Sequence, residues 1–174
     1  MKERENIRKI FEHIGNDFFS ELEEFVVEST VAARKDIILE GEKIDYIPIL
    51  LKGSIKVYSL HDGRELLYYY MKPYESCTMT FSSILTNSRS RIYAYTEESS
   101  EMLLLPVDKV LRWIIAYPLF NQFFLKEYDK RYVAIMEMVT QAVFHKLDKR
   151  ILDLLDKKIK ENDDKAIKIS HKEI

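Results

Sequence analysis

The chain has 174 residues, with 27 Lys and Arg against 29 Asp and Glu, for a formal net charge of -2. At roughly 150 residues per domain this allows one domain, or one with a small extension. A composition 47% hydrophobic and 32% charged is globular rather than disordered, and the balanced charge excludes a chain-wide basic surface for nucleic acid. No apolar run approaches the roughly 20 residues that span a bilayer. Residues 1–11 lack the apolar core of a secretion signal, so a cytoplasmic protein is expected. The single cysteine, Cys77, excludes an internal disulfide framework, an all-cysteine zinc site and an iron–sulfur cluster within the chain.

In chain order, residues 1–28 read as one or two short amphipathic helices, with Ile7, Ile10, Phe11, Ile14, Phe18, Phe19, Leu22, Phe25 and Val26 at helical spacing. Gly15-Asn16-Asp17 marks a break, with Asn16 or Asp17 capping the second helix. Residues 29–106 read as β structure. Short apolar runs at Asp36–Gly41, Tyr46–Leu51 and Ser54–Tyr58 alternate with turn signals. The Asp62-Gly63 pair predicts a tight hairpin joining Ile55–Ser59 to Glu65–Met71. Further strands are expected at Arg91–Thr96 and Glu101–Pro106. Many short strands at close spacing point to an antiparallel barrel or double-sheet roll.

Val107–Ala116 reads as a short helix stopped near Tyr117-Pro118. From Pro118 no Gly or Pro interrupts the helical pattern to about Lys146, which predicts a helix roughly 40 Å long at about 1.5 Å per residue. Its apolar residues exceed one narrow face, so it needs cover on two sides. A second copy of the chain is the expected cover. Phe124, Tyr128, Ile135, Met138 and Ala142 follow spacings of four, seven, three and four, which suit a dimer seam. A second amphipathic helix is predicted over Lys146–Lys160. A polar loop at Glu161–Asp164 and a short strand at Ala166–Ile169 follow. Ser170 and Glu173 then form a capping box opening a further helix.

This order of elements resembles the Crp/Fnr family of bacterial transcription regulators. The resemblance rests on Glu40-Gly41, Leu51-Lys52-Gly53-Ser54, Asp62-Gly63-Arg64, Ala94-Tyr95-Thr96, Leu147-Asp148-Lys149-Arg150-Ile151 and Ile167–Ile174. It implies an α+β fold: N-terminal helices, an antiparallel jelly-roll-like β-roll, a long dimerisation helix and the start of a winged helix-turn-helix. The implied domains are a cyclic-nucleotide-binding-like sensor (1–117), a dimerisation helix (118–146) and the opening of a DNA-binding domain (147–174), truncated before its recognition helix. The implied partners are a second copy, operator DNA reached through the missing part, RNA polymerase and a small-molecule effector. No membrane partner and no DNA-contacting residue within the chain are expected. Two-fold proteins of this kind read two-fold operators.

In family members that bind cyclic nucleotides, a cassette supplies Gly-Glu for the ribose and a later Arg for the phosphate, because a buried phosphate needs a fixed cation. Here Thr78 and Met79 stand at the Gly-Glu positions and Ser88 at the Arg position. Arg89 and Arg91 are close but out of register, and a one-residue slip reverses a strand side chain. Ile135 and Met136 replace polar base contacts on the long helix. Cyclic AMP is therefore not expected in a pocket formed by Cys77, Thr78, Met79, Ser88, Arg89, Arg91, Ile135 and Met136. Cys77 reads as a small buried residue rather than a thiol sensor. Heme there is disfavoured, since Met79 and His61 carry no signature of a second ligand. One ring of Tyr68-Tyr69-Tyr70 faces the core and another can line the pocket.

The leading expectation is an effector-controlled DNA-binding regulator. The alternative is a free-standing module of the same fold that acts on something other than DNA. An enzyme is not expected, since no Ser/His/Asp set, metal cluster or catalytic carboxylate pair stands out.

Overall fold

The computed structural model describes residues 13–161 together with Arg8, Ile10 and Phe11; for residues 142, 145–150 and 153–161 only the backbone is described. Helix α1 (Asn16–Phe25) leads into strand β1 (Val27–Val31). Strands β2 (Asp36–Ile38), β3 (Tyr46–Lys52), β4 (Ile55–His61) and β5 (Arg64–Met71) follow, then helix α2 (Thr78–Leu85). Strands β6 (Tyr93–Thr96) and β7 (Ser100–Pro106) close the roll, before helices α3 (Val107–Ala116) and α4 (Pro118–Glu161). A three-stranded sheet ordered β1-β7-β3 faces a four-stranded sheet ordered β2-β6-β4-β5. Every pairing in both sheets is antiparallel. The expected α+β antiparallel roll with a long helix is the architecture observed.

The turns explain much of this topology. Asp62 (φ 50°) and Gly63 (φ 74°) supply the two left-handed residues of a two-residue hairpin, and His61 pairs with Arg64 across it. Gly53 has φ 98°, and a Cβ there would collide with Ser100 and lie 2.8 Å from the Ser99 carbonyl oxygen. Only glycine fits where β3 turns into β4 beneath that strand start. Thr96, fully buried, staples the 32–35 loop: its hydroxyl donates to the Ala32 carbonyl at 2.8 Å and accepts the Lys35 N–H at 2.9 Å. That is the structural work of the Ala94-Tyr95-Thr96 strand.

Contacts divide the chain into Met1–Tyr128 and Asp129–Ile174. In the first unit Phe11, Phe18, Trp113 and Phe120 form an aromatic cluster of edge-on and tilted rings with centroids 5.1–5.7 Å apart. Glu21 of α1 ties it to α3 by accepting the Trp113 indole N–H at 2.8 Å and the Tyr117 hydroxyl at 2.9 Å. These donors hold the Glu21 carboxyl below its ordinary pKa, the Trp113 bond most strongly. In the second unit Tyr132, Ile135, Met138 and Phe144 are each more than half exposed.

Four sequence expectations change. Asn16 lies inside α1; Gly15 (φ 102°) is the N-cap, and no side chain bonds the orphan amides. Strand β1 occupies residues that the sequence assigns partly to a helix. Strand β6 starts at Tyr93 rather than Arg91, because the Ser90 hydroxyl takes both backbone groups of Ile92. No break occurs at Lys146: with neither Gly nor Pro there, α4 runs on to Glu161. Phe120 and Phe124, in the first turns of α4, are fully buried within the first unit. The expected loop, strand and capping box over residues 162–174 lie outside the described residues.

Candidate functional site

The segment between β5 and α2 is built to hold α2 against the roll. Tyr74 adopts a left-handed φ of 70°, uncommon for a bulky side chain, and its N–H donates to the Leu50 carbonyl at 2.6 Å. Glu75, only 5% exposed, turns its carboxylate back to accept the Lys72 N–H at 3.0 Å. The Ser76 hydroxyl donates to the Pro48 carbonyl at 2.9 Å. Cys77 then serves as the extended N-cap of α2, and the Thr80 hydroxyl donates back to its carbonyl at 2.8 Å.

Around that helix start three elements meet. The Tyr69 hydroxyl of β5 lies 3.1 Å from the Thr78 hydroxyl and 3.6 Å from the Cys77 sulfur. The Tyr128 hydroxyl of α4 donates to the Thr78 carbonyl at 3.2 Å. Burial pushes the Tyr128 hydroxyl pKa up, so it remains a donor. One turn along, the rings of Phe81 (α2) and Phe124 (α4) stack at 3.8 Å with planes 2° apart. Hydroxyls, one thiol and aromatic rings line this junction. No Lys or Arg is among the buried polar residues described.

Cys77, Thr78 and Met79 of the expected pocket come together here: Cys77 and Thr78 are buried and Met79 is half-buried against the core. Ser88 is at the far end of α2, 3.0 Å from the Thr86 hydroxyl and 3.4 Å from the Ser83 carbonyl oxygen. Arg89 and Arg91 are exposed, and Arg89 donates to the Gly41 carbonyl at 2.9 Å rather than into the roll. Ile135 and Met136 belong to the second unit and are 56% and 46% exposed. Phe124 corrects the seam reading: it is fully buried against Phe81, Phe120 and Phe123, with no surface left for another chain. Tyr128 is half-buried on α2, and the Ala142 side chain lies outside the described residues. Sequence reasoning missed α2 as a helix. It placed Tyr69 only within a triplet of alternating rings.

No family model matches this chain. No curated protein sequence matches it either. Solved structures do. A protein assigned to the Crp/Fnr family of regulators from Eubacterium rectale superposes with a TM-score of 0.70 at 16% identity, covering 93% of this chain and 76% of that one. The chain has the cyclic-nucleotide-binding β-roll fold. The catabolite activator protein of Thermus thermophilus shares this roll with a TM-score of 0.66 at 17% identity, over 88% of this chain and 71% of that one. The c-di-GMP-responsive regulator CLP of Xanthomonas campestris does so with a TM-score of 0.65 at 15% identity, over 89% and 75%. Identities this low establish the roll and not its ligand, because function lives in the site. Among the described residues of the roll and helix, no group of His, Cys, Asp and Glu is placed to hold a metal. No described helix is long and apolar enough to cross a membrane.

Proposed function

We propose that the chain is the sensing and dimerising part of a DNA-binding transcriptional regulator of the Crp/Fnr type. It works in the cytoplasm as a homodimer, on operator DNA and with RNA polymerase. The observation that carries this reading is the pairing of a cyclic-nucleotide-binding roll with a 44-residue helix whose described apolar side chains between Tyr132 and Phe144 are exposed. An apolar helical face of that kind is covered in water by a second helix. The helix-turn-helix begins within residues 147–174.

The effector of the roll is uncharged. A buried phosphate calls for a fixed cation, and the Arg89 guanidinium is exposed and donates to the Gly41 carbonyl at the surface. The junction at Thr78 offers hydroxyls, which suit a neutral polar group. Cyclic AMP then binds only in the millimolar range, and a dissociation constant below about 10 µM would contradict this assignment. The regulatory role is tested by selecting from a random DNA pool with the complete gene product that carries residues 1–174. Enrichment of an inverted repeat is expected. Recovery of no sequence preference would favour a free-standing module.

A further inference from the structure

A cleft of about 240 Å³ opens where the roll's two sheets part, away from the junction at α2. Ile38 from the four-stranded sheet, Met102 from the three-stranded sheet and Ile44 from the intervening loop line it, each 8% exposed or less. Pro48 and Leu104 continue the apolar wall. None of the buried polar residues described is part of its lining. The loop that frames it has its backbone groups engaged elsewhere. Gly41 N–H donates to the Ser90 carbonyl and Ser90 N–H to the Glu42 carbonyl, both at 2.8 Å, and the Asp45 carbonyl accepts the Val107 N–H at 3.0 Å. A frame held this way loses little freedom on binding. The charges at the rim balance. Lys43 pairs with Asp45 at 3.0 Å. Exposed Glu42 stands beside Arg89, which donates one N–H to the neutral Gly41 carbonyl at 2.9 Å and keeps its positive charge. The cleft therefore offers apolar surface and no net charge. Its volume exceeds the roughly 150 Å³ at which a dry apolar cavity takes up benzene. It falls just short of the roughly 300–1,000 Å³ of drug-sized sites.

We propose that this cleft is a binding site for a small uncharged apolar molecule, held by its hydrocarbon body between Ile38, Ile44 and Met102 and selected by size rather than by charge. Such a ligand gains by leaving water and strands no buried polar group of the protein. An ion of the same shape gains nothing further from a balanced rim. The inference stands apart from the regulatory reading, since none of its residues belongs to the Thr78 junction.

The test is a methyl-resolved NMR titration of the whole chain with 1-butanol, 1-pentanol and 1-hexanol, using hexanoate and hexylammonium as charged controls. The alcohols should shift the Ile38, Ile44 and Met102 methyls saturably and tighten about fourfold for each added methylene. The two ions should both bind more weakly than 1-hexanol and within about fivefold of each other, the most that an exposed ion pair contributes. Ile37→Phe, at a half-buried position on the wall, should fill the cleft and abolish the shifts. If that variant does not fold, the alcohol series and the two ions on the parent chain still decide. Shifts that fail to saturate or that centre on other methyls, an affinity indifferent to chain length, a larger preference for either ion, or a folded Ile37→Phe variant that binds as the parent does would each overturn the proposal.

Discussion

The first turns of α4 and the turns beyond Asp129 carry the same kind of residues and meet opposite surroundings. Phe120 and Phe124 are fully buried among rings of the roll. Ile135, Met138 and Phe144 are 55–59% exposed within the described chain. Helical spacing alone reads one continuous seam through both stretches. The difference teaches that periodicity reveals how much apolar surface must be covered and not which chain covers it. The aromatic partners decide: Phe81 on α2 is placed to stack on Phe124 and claims it for the interior.

The comparison breaks most sharply at Phe124. Phe124→Ala removes a fully buried ring and should cost about 3–5 kcal/mol of stability, read as a large fall in the urea midpoint. A loss below about 1 kcal/mol would place that ring on the seam after all. Ile135→Asp should do the reverse. It leaves the roll folded by near-ultraviolet circular dichroism and halves the mass in solution, because an unpaired carboxylate is strongly disfavoured at a buried seam.

Two smaller effects sharpen the account of the roll's own clamps. Tyr128→Phe deletes one hydrogen bond to Thr78 and should cost about 0.5–1.5 kcal/mol. A neutral result would mean that α4 is held on α2 by the Phe81–Phe124 stack alone. Glu21 has a lowered pKa in the folded chain, first through Trp113 and then Tyr117. Its contribution is therefore fully present above the ordinary value of 4.5 and is lost as pH falls through the lowered one. Glu21→Gln should lower the denaturation midpoint at pH 7, and the gap to the parent chain should close toward pH 3. A gap unchanged over that range would show that the carboxylate charge plays no part.

Much of the roll is written locally. Asp62-Gly63 and Gly53 mark their turns by chemistry that tertiary context does not alter, so β3, β4 and β5 are legible within two residues. Helix α2 is not. Thr78-Met79-Thr80-Phe81-Ser82-Ser83 is rich in hydroxyls and poor in strong helix formers, and what holds it is distant: Tyr69, Phe124 and Tyr128. Strand β1 is hidden for a related reason: Val27–Val31 follows a helical run with no Gly or Pro between, and its partner β7 lies some seventy residues on. Of the candidate site, Cys77, Thr78 and Met79 are brought together as their sequence proximity suggests. The outward course of Arg89 depends on the Gly41 carbonyl, 48 residues away, and no local pattern reports it.

The claim that joins both halves of the comparison is that a second copy covers the helix beyond Asp129. Light scattering of the chain at micromolar concentration measures this directly. A mass of twice 20.7 kDa is expected, and it should fall to one chain in Ile135→Asp. A parent chain that stays at 20.7 kDa across that range would contradict the claim.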